Sequence, residues 1–314
     1  MSPAARLTIA IPTFNRAFYV TTAIDSLREQ ANASERWRVV VVDNNSTDDT
    51  AERLALLAAQ WPRLTVLFEP EPGASVARNR ALAWSAQHGA GQDGEGYILY
   101  VDDECKFQPD YVDRALAIID RHKPRMFGGP IHPWYVVPPP AWFRPEYGSY
   151  SLPWATGLSD RISLSAGNMG FSIAALAAIG GFDPARGPRG TRLAFGEETA
   201  VENRMLAMFG ADAVWFDPDL VNFHAVRPEK FRWRQMLREH FLRGMARGEL
   251  QAAGLVSPPG DPVPETLRPR PRPNAGTSGI RADLPGETVR LCLGAVRRAG
   301  LAWFKLTRAS RQAD

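Results

Sequence analysis

The sequence predicts an α/β fold with a mostly parallel sheet covered by helices on both faces. Short apolar runs alternate with segments of helical spacing through the first third of the chain. One run, Arg38–Val42, holds four consecutive valines, which is typical of a strand buried on both faces. Strand, helix, strand order at this spacing also favours right-handed crossovers between parallel strands.

Each element is predicted from its own apolar spacing and its flanking turn residues. Strands are expected at Leu7–Ile11, Arg38–Val42, Thr65–Phe68, Tyr97–Val101, Ser165–Ser172 and Ala213–Phe216. Helices are expected at Ala17–Gln30, Thr50–Gln60, Ser75–Gln87, Ala174–Ile179, Thr199–Phe209 and Glu229–Leu250. Pro12 closes the first strand, and Asn15 is available to cap the first helix.

The composition is that of an ordinary globular protein. The 314 residues are 45% hydrophobic and 23% charged, with a formal net charge of +3. Only Cys105 and Cys292 are cysteines, so a disulfide framework is not indicated. The N-terminus lacks a useful apolar core for a signal peptide, and no apolar run reaches the roughly 18 residues of a membrane span. A cytoplasmic location is expected.

Three adjacent carboxylates follow the fourth strand directly. The run Tyr97–Val101 is apolar, and Asp102, Asp103 and Glu104 come next. Residues two apart in an extended chain point to the same side, so Asp102 and Glu104 could bind one cation together. Hard oxygen ligands suit Mg²⁺ or Mn²⁺ shared with substrate phosphates. On its own, the run could equally be an acidic turn.

Polar residues also follow the first three strands, where ligands bind in open parallel sheets. These residues, in three groups, are Pro12, Thr13, Asn15 and Arg16; Asp43 and Asn45 within Asp43–Thr50; and Arg78 after Gly73. Helix capping explains part of the second group but not a carboxylate at the strand end. No phosphate-binding G-x-x-x-x-G-K-[ST] loop and no G-x-G-x-x-G dinucleotide motif occurs.

Two later segments differ in composition from the alternating region. Residues 130–160 hold many prolines and aromatics, which predicts either a functional loop or an irregular packed one. Residues 256–287 are rich in Pro and Gly and predict a linker. The linker leads to Val289–Arg308, which has Arg290, Arg297, Arg298, Lys305 and Arg308 on one helical face and Leu293, Val296, Trp303, Phe304 and Leu306 mostly on the other. This helix could bind an anionic membrane surface or pack on protein.

Seven motifs together resemble the family 2 glycosyltransferases of GT-A fold. They are I-P-T-F-N-R, V-V-D-N-N-S-T-D-D-T, G-A-S-V-A-R-N-R-A, Y-V-D-D-E, A-G-N-M-G-F, G-G-F-D and F-G-E-E, in that order. The resemblance covers roughly residues 6–245. It implies a Rossmann-like GT-A domain over residues 1–250, with 1–129 as the nucleotide-sugar half and 130–250 as the acceptor half. A linker at 251–287 and a basic amphipathic tail at 288–314 would follow.

The resemblance implies inverting transfer of one sugar from a nucleoside-diphosphate sugar, with Mg²⁺ or Mn²⁺ as cofactor. Asp43 and Arg78 resemble the family's base and phosphate contacts, and Pro12, Thr13, Asn15, Arg16, Asn45 and Asp103 fall among the donor-binding positions. Asp102 and Glu104 match the ends of the D-x-D motif, although the second end is more often Asp. Glu198 matches the catalytic base, and the resemblance leaves open how the roles divide between Glu197 and Glu198. His224 resembles a histidine near the diphosphate that could also ligate metal.

The acceptor and location follow less directly from the residues. Trp134, Trp154, Gly167 and Asn168 are the expected acceptor contacts, and aromatic faces suit either a carbohydrate or a lipid-linked acceptor. If Val289–Arg308 binds a membrane surface, the protein would lie at the inner face of the cytoplasmic membrane. The basic residues form no nucleic-acid platform. A sugar-1-phosphate nucleotidyltransferase and a non-catalytic nucleotide-sugar-binding protein are the alternatives.

Overall fold

The computed structural model describes residues 6–31, 34–89, 95–144, 164–190, 192–256 and 284–313. Within these ranges ten strands form. They are β1 (Leu7–Thr13), β2 (Trp37–Asp43), β3 (Leu64–Phe68), β4 (Tyr97–Val101), β5 (Cys105–Phe107), β6 (Met126–Gly128), β7 (Ile131–Tyr135), β8 (Asn168–Ser172), β9 (Val214–Phe216) and β10 (Asn222–Val226).

The same ranges contain eight α-helices. They are α1 (Ala17–Arg28), α2 (Thr50–Gln60), α3 (Ala74–His88), α4 (Tyr111–His122), α5 (Ile173–Ala178), α6 (Glu197–Phe209), α7 (Trp233–Ala252) and α8 (Leu284–Ala313). A short 3-10 turn, Pro228–Phe231, precedes α7. The predicted bounds of α2 and β4 are confirmed, and the other predicted elements differ from the observed ones by one to three residues at most ends.

The described residues form a main sheet of seven strands in the order β3-β2-β1-β4-β8-β6-β9. Strands β1 to β4 pair in parallel, and β8 runs antiparallel between β4 and β6. A smaller sheet of described residues has the order β5-β10-β7. It lies at the carboxyl edge of β4, because only Asp102, Asp103 and Glu104 separate β4 from β5. The predicted α/β fold with a mostly parallel sheet is confirmed.

The four valines of β2 show why the sheet is buried on both faces. Val39 and Val41 belong to one apolar cluster, with side chains of α1, α2 and α4. Val40 and Val42 belong to a second cluster, with side chains of α3, α5 and α6. Alternate residues of a strand point to opposite faces, so a continuous apolar run fills both layers at once.

The first strand continues through Pro12 instead of ending there. Its pairing with β4 stops at Ala10 opposite Tyr100, whereas its pairing with β2 continues to Thr13 opposite Asp43. Proline has no backbone N–H to donate, and here it lies beyond the last residue that β4 pairs with. The extension carries Thr13 past the edge of β4, toward the acidic residues that follow it.

Several predicted boundaries are corrected by the structure. Both Glu197 and Glu198 lie inside α6, which begins two residues before the predicted start. Part of the predicted aromatic loop is strand β7, and residues 145–163 lie outside the described residues. The predicted linker is shorter at both ends, because α7 continues to Ala252 and α8 begins at Leu284. Its middle, residues 257–283, also lies outside the described residues.

The C-terminal helix α8 packs along α7, and Leu293 joins Phe143, Val226 and Met236 in an apolar cluster. Among the helices that the structure describes, none is both long enough and apolar enough to cross a bilayer.

Candidate active site

A cleft of about 270 Å³, lined by both charged and apolar residues, opens beyond the carboxyl ends of β1, β2 and β4. Parallel strands bring their following loops to one edge of the sheet, which explains why residues distant in sequence meet there. The lining residues are Pro12, Thr13, Phe14, Arg16, Asn44, Ala74, Ala77, Arg78, Asp102, Asp103, Glu104, Pro188 and Gly190.

Asp102 and Glu104 face one side of the turn after β4, as the sequence predicts. His224 Nε2 lies 3.4 Å from Asp102 Oδ2 and 3.4 Å from Glu104 Oε1. Asp103 faces elsewhere, and its Oδ2 accepts a hydrogen bond of 2.7 Å from Thr13 Oγ1. His224 lies within β10, and β10 pairs with β5 so that His224 lies opposite Cys105. The small sheet therefore brings an imidazole to the two carboxylates.

Burial and neighbouring groups shift the pKa of Asp102, His224 and Asp103. Burial alone would raise the pKa of Asp102, but the hydrogen bond and charge of His224, with the charge of Arg78, hold it below its ordinary value. Burial alone would lower the pKa of His224, but the hydrogen bond with Asp102 and the charge of Glu104 raise it. Burial and the charge of Glu104 raise the pKa of Asp103 to about 7, despite the bond from Thr13.

Arg227 is a site residue that the sequence reasoning missed. It follows β10, and its Nε lies 2.9 Å from Glu104 Oε2. The contact fixes one oxygen of Glu104 and leaves Oε1 directed toward His224. Its spacing of three residues after His224 was visible in the sequence, but the approach to Glu104 depends on the pairing of β10 with β5.

Carboxylate oxygens beside an imidazole nitrogen form a donor set that fits a divalent cation such as Mn²⁺. Among the described residues, no group of three or more His, Cys, Asp or Glu side chains is placed so that it could hold a metal ion. Asp102, Glu104 and His224 would therefore supply part of a coordination shell, and Mg²⁺ or Mn²⁺ in such sites takes its remaining ligands from substrate phosphates and water. The residues present fit that partial role.

Arg78 is buried and joins the acidic turn to a second pair of acids. Its Nη1 donates a hydrogen bond of 3.1 Å to Glu197 Oε1, and its Nη2 lies 3.9 Å from Asp102 Oδ1. Its guanidinium carbon lies 5.3 Å from the centre of the Phe182 ring. Burial would lower the pKa of Arg78, but the charges of Glu197 and Asp102 raise it. Arg78, which was predicted to bind the donor, thus lines the cleft and also contacts the carboxyl groups of Glu197 and Asp102.

Glu197 and Glu198 occupy the first turn of α6, where the helix dipole favours negative charge. Gly196 precedes them with a φ of 99°, a conformation that glycine adopts without strain. Burial and the neighbouring charge of Glu198 raise the pKa of Glu197 to about 8, although Arg78 opposes this. The raised pKa favours a protonated Glu197 near neutral pH.

Asn44 fixes the loop between β3 and α3, and the sequence reasoning did not select it. Its Nδ2 donates to the carbonyl oxygens of Glu69 at 3.1 Å and Glu71 at 2.6 Å, and its Oδ1 accepts from the Gly73 N–H at 2.7 Å. Asp43 is also buried, and its Oδ1 accepts from the Ser46 N–H at 3.0 Å. The D-N-N-S motif therefore shapes the cleft through its backbone contacts.

Besides Asp43, two predicted donor-binding residues, Asn15 and Asn45, are not among the cleft-lining residues. Asn15 does not cap α1 but bonds to the loop after β2, where its Oδ1 accepts from the Thr47 N–H at 2.7 Å. Asn45 is exposed and has a φ of 65°. Both residues have the left-handed backbone that asparagine tolerates in turns. Their positions indicate roles in loop shape.

The four predicted acceptor residues have different positions. Gly167 lies against the acidic turn, because a Cβ there would be 2.6 Å from Asp102 Oδ2. Asn168 has no exposed surface, and its amide bonds to Tyr111, Pro130 and Leu220. Because the Asn168 side chain is fully buried, the structure gives no support to the expectation that it contacts an acceptor.

Trp134 lies on β7, and Lys106 Nζ is 3.7 Å from the centre of its ring. Trp154 lies outside the described residues.

A cleft at the carboxyl edge of a mostly parallel sheet, with acidic residues directly after its central strand, is the arrangement of a GT-A-type glycosyltransferase. The family model for glycosyl transferase family 2 matches residues 8–179, which is more than half of the chain. The chain belongs to glycosyl transferase family 2, and the resemblance stated from its motifs is confirmed.

Curated relatives match mainly one part of the chain. It is 36% identical over 108 residues to the succinoglycan biosynthesis protein ExoA of Rhizobium meliloti, which is 34% of this chain and 31% of that protein. It is 28% identical over 118 residues to the poly(ribitol-phosphate) beta-N-acetylglucosaminyltransferase TarS of Staphylococcus aureus, which is 37% of this chain and 19% of that protein. The matched regions thus span well under half of these relatives.

Solved structures share the fold at low sequence identity. A mannosyltransferase from Pyrobaculum calidifontis, in complex with GDP-Man and Mn²⁺, aligns with a TM-score of 0.60 and 18% identity over 100% of this chain and 76% of that one. Residues 1–349 of S. aureus TarS in complex with UDP-GlcNAc align with a TM-score of 0.50 and 18% identity over 78% of this chain and 66% of that one. These likenesses show the GT-A fold.

Proposed function

We propose that the protein transfers one sugar from a nucleoside-diphosphate sugar to an acceptor hydroxyl with inversion at the anomeric carbon, and that the reaction depends on Mg²⁺ or Mn²⁺. The observation that carries this proposal is the pair of acidic groups on the two sides of Arg78. Asp102 and Glu104 converge on His224, and Glu197 bonds to Arg78. Asp102 and Glu104 are suited to bind a divalent cation together with a diphosphate. The acids at the start of α6 are suited to accept a proton.

The donor would bind in the cleft beyond β1 and β4. Thr13, Arg16 and Arg78 line it and offer hydrogen-bond donors to phosphate or ribose oxygens. Asp102, Glu104 and His224 would hold the divalent cation beside them. A bound cation would offset the negative charge that develops on the departing diphosphate. The solved GT-A structures with GDP-Man and Mn²⁺ and with UDP-GlcNAc support a nucleotide-sugar donor.

Glu198 is the proposed general base. Glu197 is bound to Arg78 at 3.1 Å and is almost entirely buried, so its carboxyl is committed to that contact. Glu198 is only partly buried and lies one residue further into α6. Its carboxylate would take the proton of the acceptor hydroxyl as the oxygen attacks the anomeric carbon. Because the attack displaces the diphosphate directly, the anomeric configuration inverts.

The acceptor half would be residues 130–250, with Trp134 and Gly167 near the acceptor. The names of two relatives refer to succinoglycan and to poly(ribitol-phosphate). We therefore propose a carbohydrate or lipid-linked acceptor in the synthesis of a cell-envelope polysaccharide, glycolipid or glycoconjugate. The proposed location is the cytoplasm, at the inner face of the cytoplasmic membrane. Residues 1–250 would form the catalytic domain, with the following segment and α8 as an appendage.

Release of nucleoside diphosphate from UDP-, GDP- and dTDP-sugars with Mn²⁺ or Mg²⁺ tests the proposal. We expect slow donor hydrolysis that stops in excess EDTA and in Asp102→Asn. Glu198→Gln should still bind donor but lose about 10²- to 10⁴-fold in turnover, the usual contribution of a general base. The control is Glu52→Gln, which removes an exposed carboxyl on α2 and should keep full turnover.

Two results would contradict parts of the proposal. Full activity in EDTA would show that the reaction needs no divalent metal. Full activity of Glu198→Gln together with an inactive Glu197→Gln would show that Glu197, and not Glu198, is the general base. Donor binding without any turnover would favour a nucleotide-sugar-binding protein.

A further inference from the structure

Helix α8 presents a second surface that the proposed reaction does not use. The helix lies parallel to α7, because contacts advance along both helices together: Phe241 meets Gly300, and Gly248 meets Phe304. The backbones approach closely, since a Cβ on Gly244 would lie 1.9 Å from Arg297 O. One face of α8, with Leu293, Gly300 and Phe304, is therefore occupied by protein.

The opposite face of α8 is apolar and exposed. Leu291, Trp303 and Leu306 are 65%, 56% and 68% exposed. At about 100° per residue these three side chains fall within an arc of about 120°. The smaller residues between them on the same arc, all exposed, are Cys292, Ala295, Ala299 and Ala302. We call this arc the outer face. It extends about 22 Å along the helix, from residue 291 to residue 306 at about 1.5 Å per residue.

The predicted division of this helix into faces is corrected in one respect. Leu293 and Phe304 were grouped with Trp303 and Leu306, yet the first pair faces α7 and the second pair faces outward. The helix has two apolar faces, one for α7 and one for another surface. The predicted alternative of packing on protein accounts only for the first face.

Positive charge borders the outer face along one edge. Arg298 and Lys305 are exposed and lie about 20° and 40° beyond Leu291 on the helical wheel. The sequence Val289–Arg308 contains no Asp or Glu. An apolar arc with a tryptophan, bordered by cations and free of acids, matches a helix that lies in the headgroup region of an anionic bilayer. A second copy of this face would offer the same cations and no acid to pair with them.

We propose that the outer face of α8 binds the protein to an anionic lipid surface. Leu291, Trp303 and Leu306 would insert among the acyl chains, and Arg298 and Lys305 would contact the headgroups. The inference rests on the packing of α7 and α8 and does not depend on the proposed reaction. The other side of α7 supports the acid pair, because a Cβ on Gly196 would lie 3.2 Å from Leu250 Cδ1. A membrane on the outer face would be separated from Glu197 by the two helices.

Co-sedimentation of the full chain with phosphatidylcholine vesicles, with and without phosphatidylglycerol, tests the proposal. We expect binding only to the anionic vesicles, weakened by added salt. Arg298→Gln with Lys305→Gln should weaken binding about thirtyfold, because each cation near a charged surface contributes to affinity. Trp303→Ser with Leu306→Ser should also abolish pelleting. The matched control is Arg28→Gln with Arg121→Gln, exposed arginines on α1 and α4 that leave the outer face intact and should bind normally.

Donor hydrolysis and the thermal unfolding midpoint of each variant separate this proposal from the reaction and from misfolding. We expect both to match the unaltered protein. Equal binding to vesicles without phosphatidylglycerol, or unchanged binding of the Arg298 and Lys305 variant, would overturn the proposal. A dimer in light scattering that is lost in Trp303→Ser with Leu306→Ser, without vesicle binding, would assign the outer face to a second copy of the chain.

Discussion

At Glu197, burial and the charge of Glu198 together raise the pKa to about 8, above the ordinary 4.5. The folded protein therefore holds this proton more tightly than the unfolded chain does. The stability that this adds is fully present below pH 4.5 and is lost as pH rises through about 8. Glu197→Gln keeps a neutral amide in place of the protonated carboxyl, so the free energy of unfolding of this variant should fall less over that range.

Urea unfolding at several pH values between 4.5 and 8 measures this effect. We expect the free energy of unfolding of the unaltered protein to decline with pH, and that of Glu197→Gln to decline less. Glu249→Gln, which changes an exposed carboxyl on α7, serves as the control and should follow the unaltered protein. Parallel curves for all three proteins would show that Glu197 titrates as an ordinary carboxyl.

Single residues were predictable where chemistry and strand position agree. Asp102 and Glu104 were selected because carboxylates directly after a buried strand need a partner, and the structure supplies His224. Asn168 was selected from its motif, yet its side-chain amide is hydrogen-bonded to groups from α4 and two loops. Arg227 was missed because its partner, Glu104, lies in a turn far away in sequence. A sequence shows which groups need partners but not which partners they find.

At the scale of elements, the contact between α7 and α8 depends on small residues. Gly244→Ala would place a Cβ 1.9 Å from the Arg297 backbone oxygen, so α8 must shift. We expect a loss of about 1–3 kcal/mol in stability, the usual cost of overpacking. Gly294→Ala adds the same methyl to α8, where its nearest neighbour would be Arg298 Nη1 at 3.6 Å. This control should be neutral or stabilise by up to about 1 kcal/mol, because alanine favours helix.

Thermal unfolding and hydrogen exchange of the α8 amides distinguish the two glycine variants. Gly244→Ala should lower the midpoint and speed exchange in α8, while Gly294→Ala should do neither. If both variants behave alike, the close approach of the two backbones is not what holds α8 in place.

Elements were predictable in proportion to the length of their apolar pattern. The parallel strands β1 to β4 and helices α1 to α3 follow from runs long enough to show period two or 3.6. Strands β5 and β6 have three residues each, which is too short for any period. Helix α4 was missed although Val112, Ala115, Leu116 and Ile119 have helical spacing and are buried. That signal was present in the sequence.

For the molecule as a whole, the candidate site joins two halves of one chain. The acidic turn and Arg78 come from the half before residue 130, and Glu197 and His224 come from the half after it. The contact of 3.1 Å between Arg78 and Glu197 is a buried hydrogen bond across this division, and it becomes an ion pair as Glu197 loses its proton near pH 8. A buried pair is costly to break from one side, because the remaining charge keeps its desolvation without its partner.

Arg78→Met should therefore weaken the packing of the two halves against each other and lower the free energy of unfolding. Near pH 8, where Glu197 begins to lose its proton, we expect a loss of about 3 kcal/mol in the free energy of unfolding, as for a broken buried pair. At lower pH the loss should be smaller, since a protonated Glu197 leaves no unpaired buried charge. Arg80→Met, an exposed arginine on the same helix, should change stability by no more than about 0.5 kcal/mol.

Adding Glu197→Gln to Arg78→Met removes the stranded charge, so the double variant should regain part of the lost stability. Urea unfolding of the four proteins closes a double-mutant cycle that isolates the pair. Turnover should stay low in the double variant, because Arg78 also lines the donor cleft and lies 3.9 Å from Asp102. Additive losses would mean that the two residues act separately, and the halves would then be held together by the shared sheet alone.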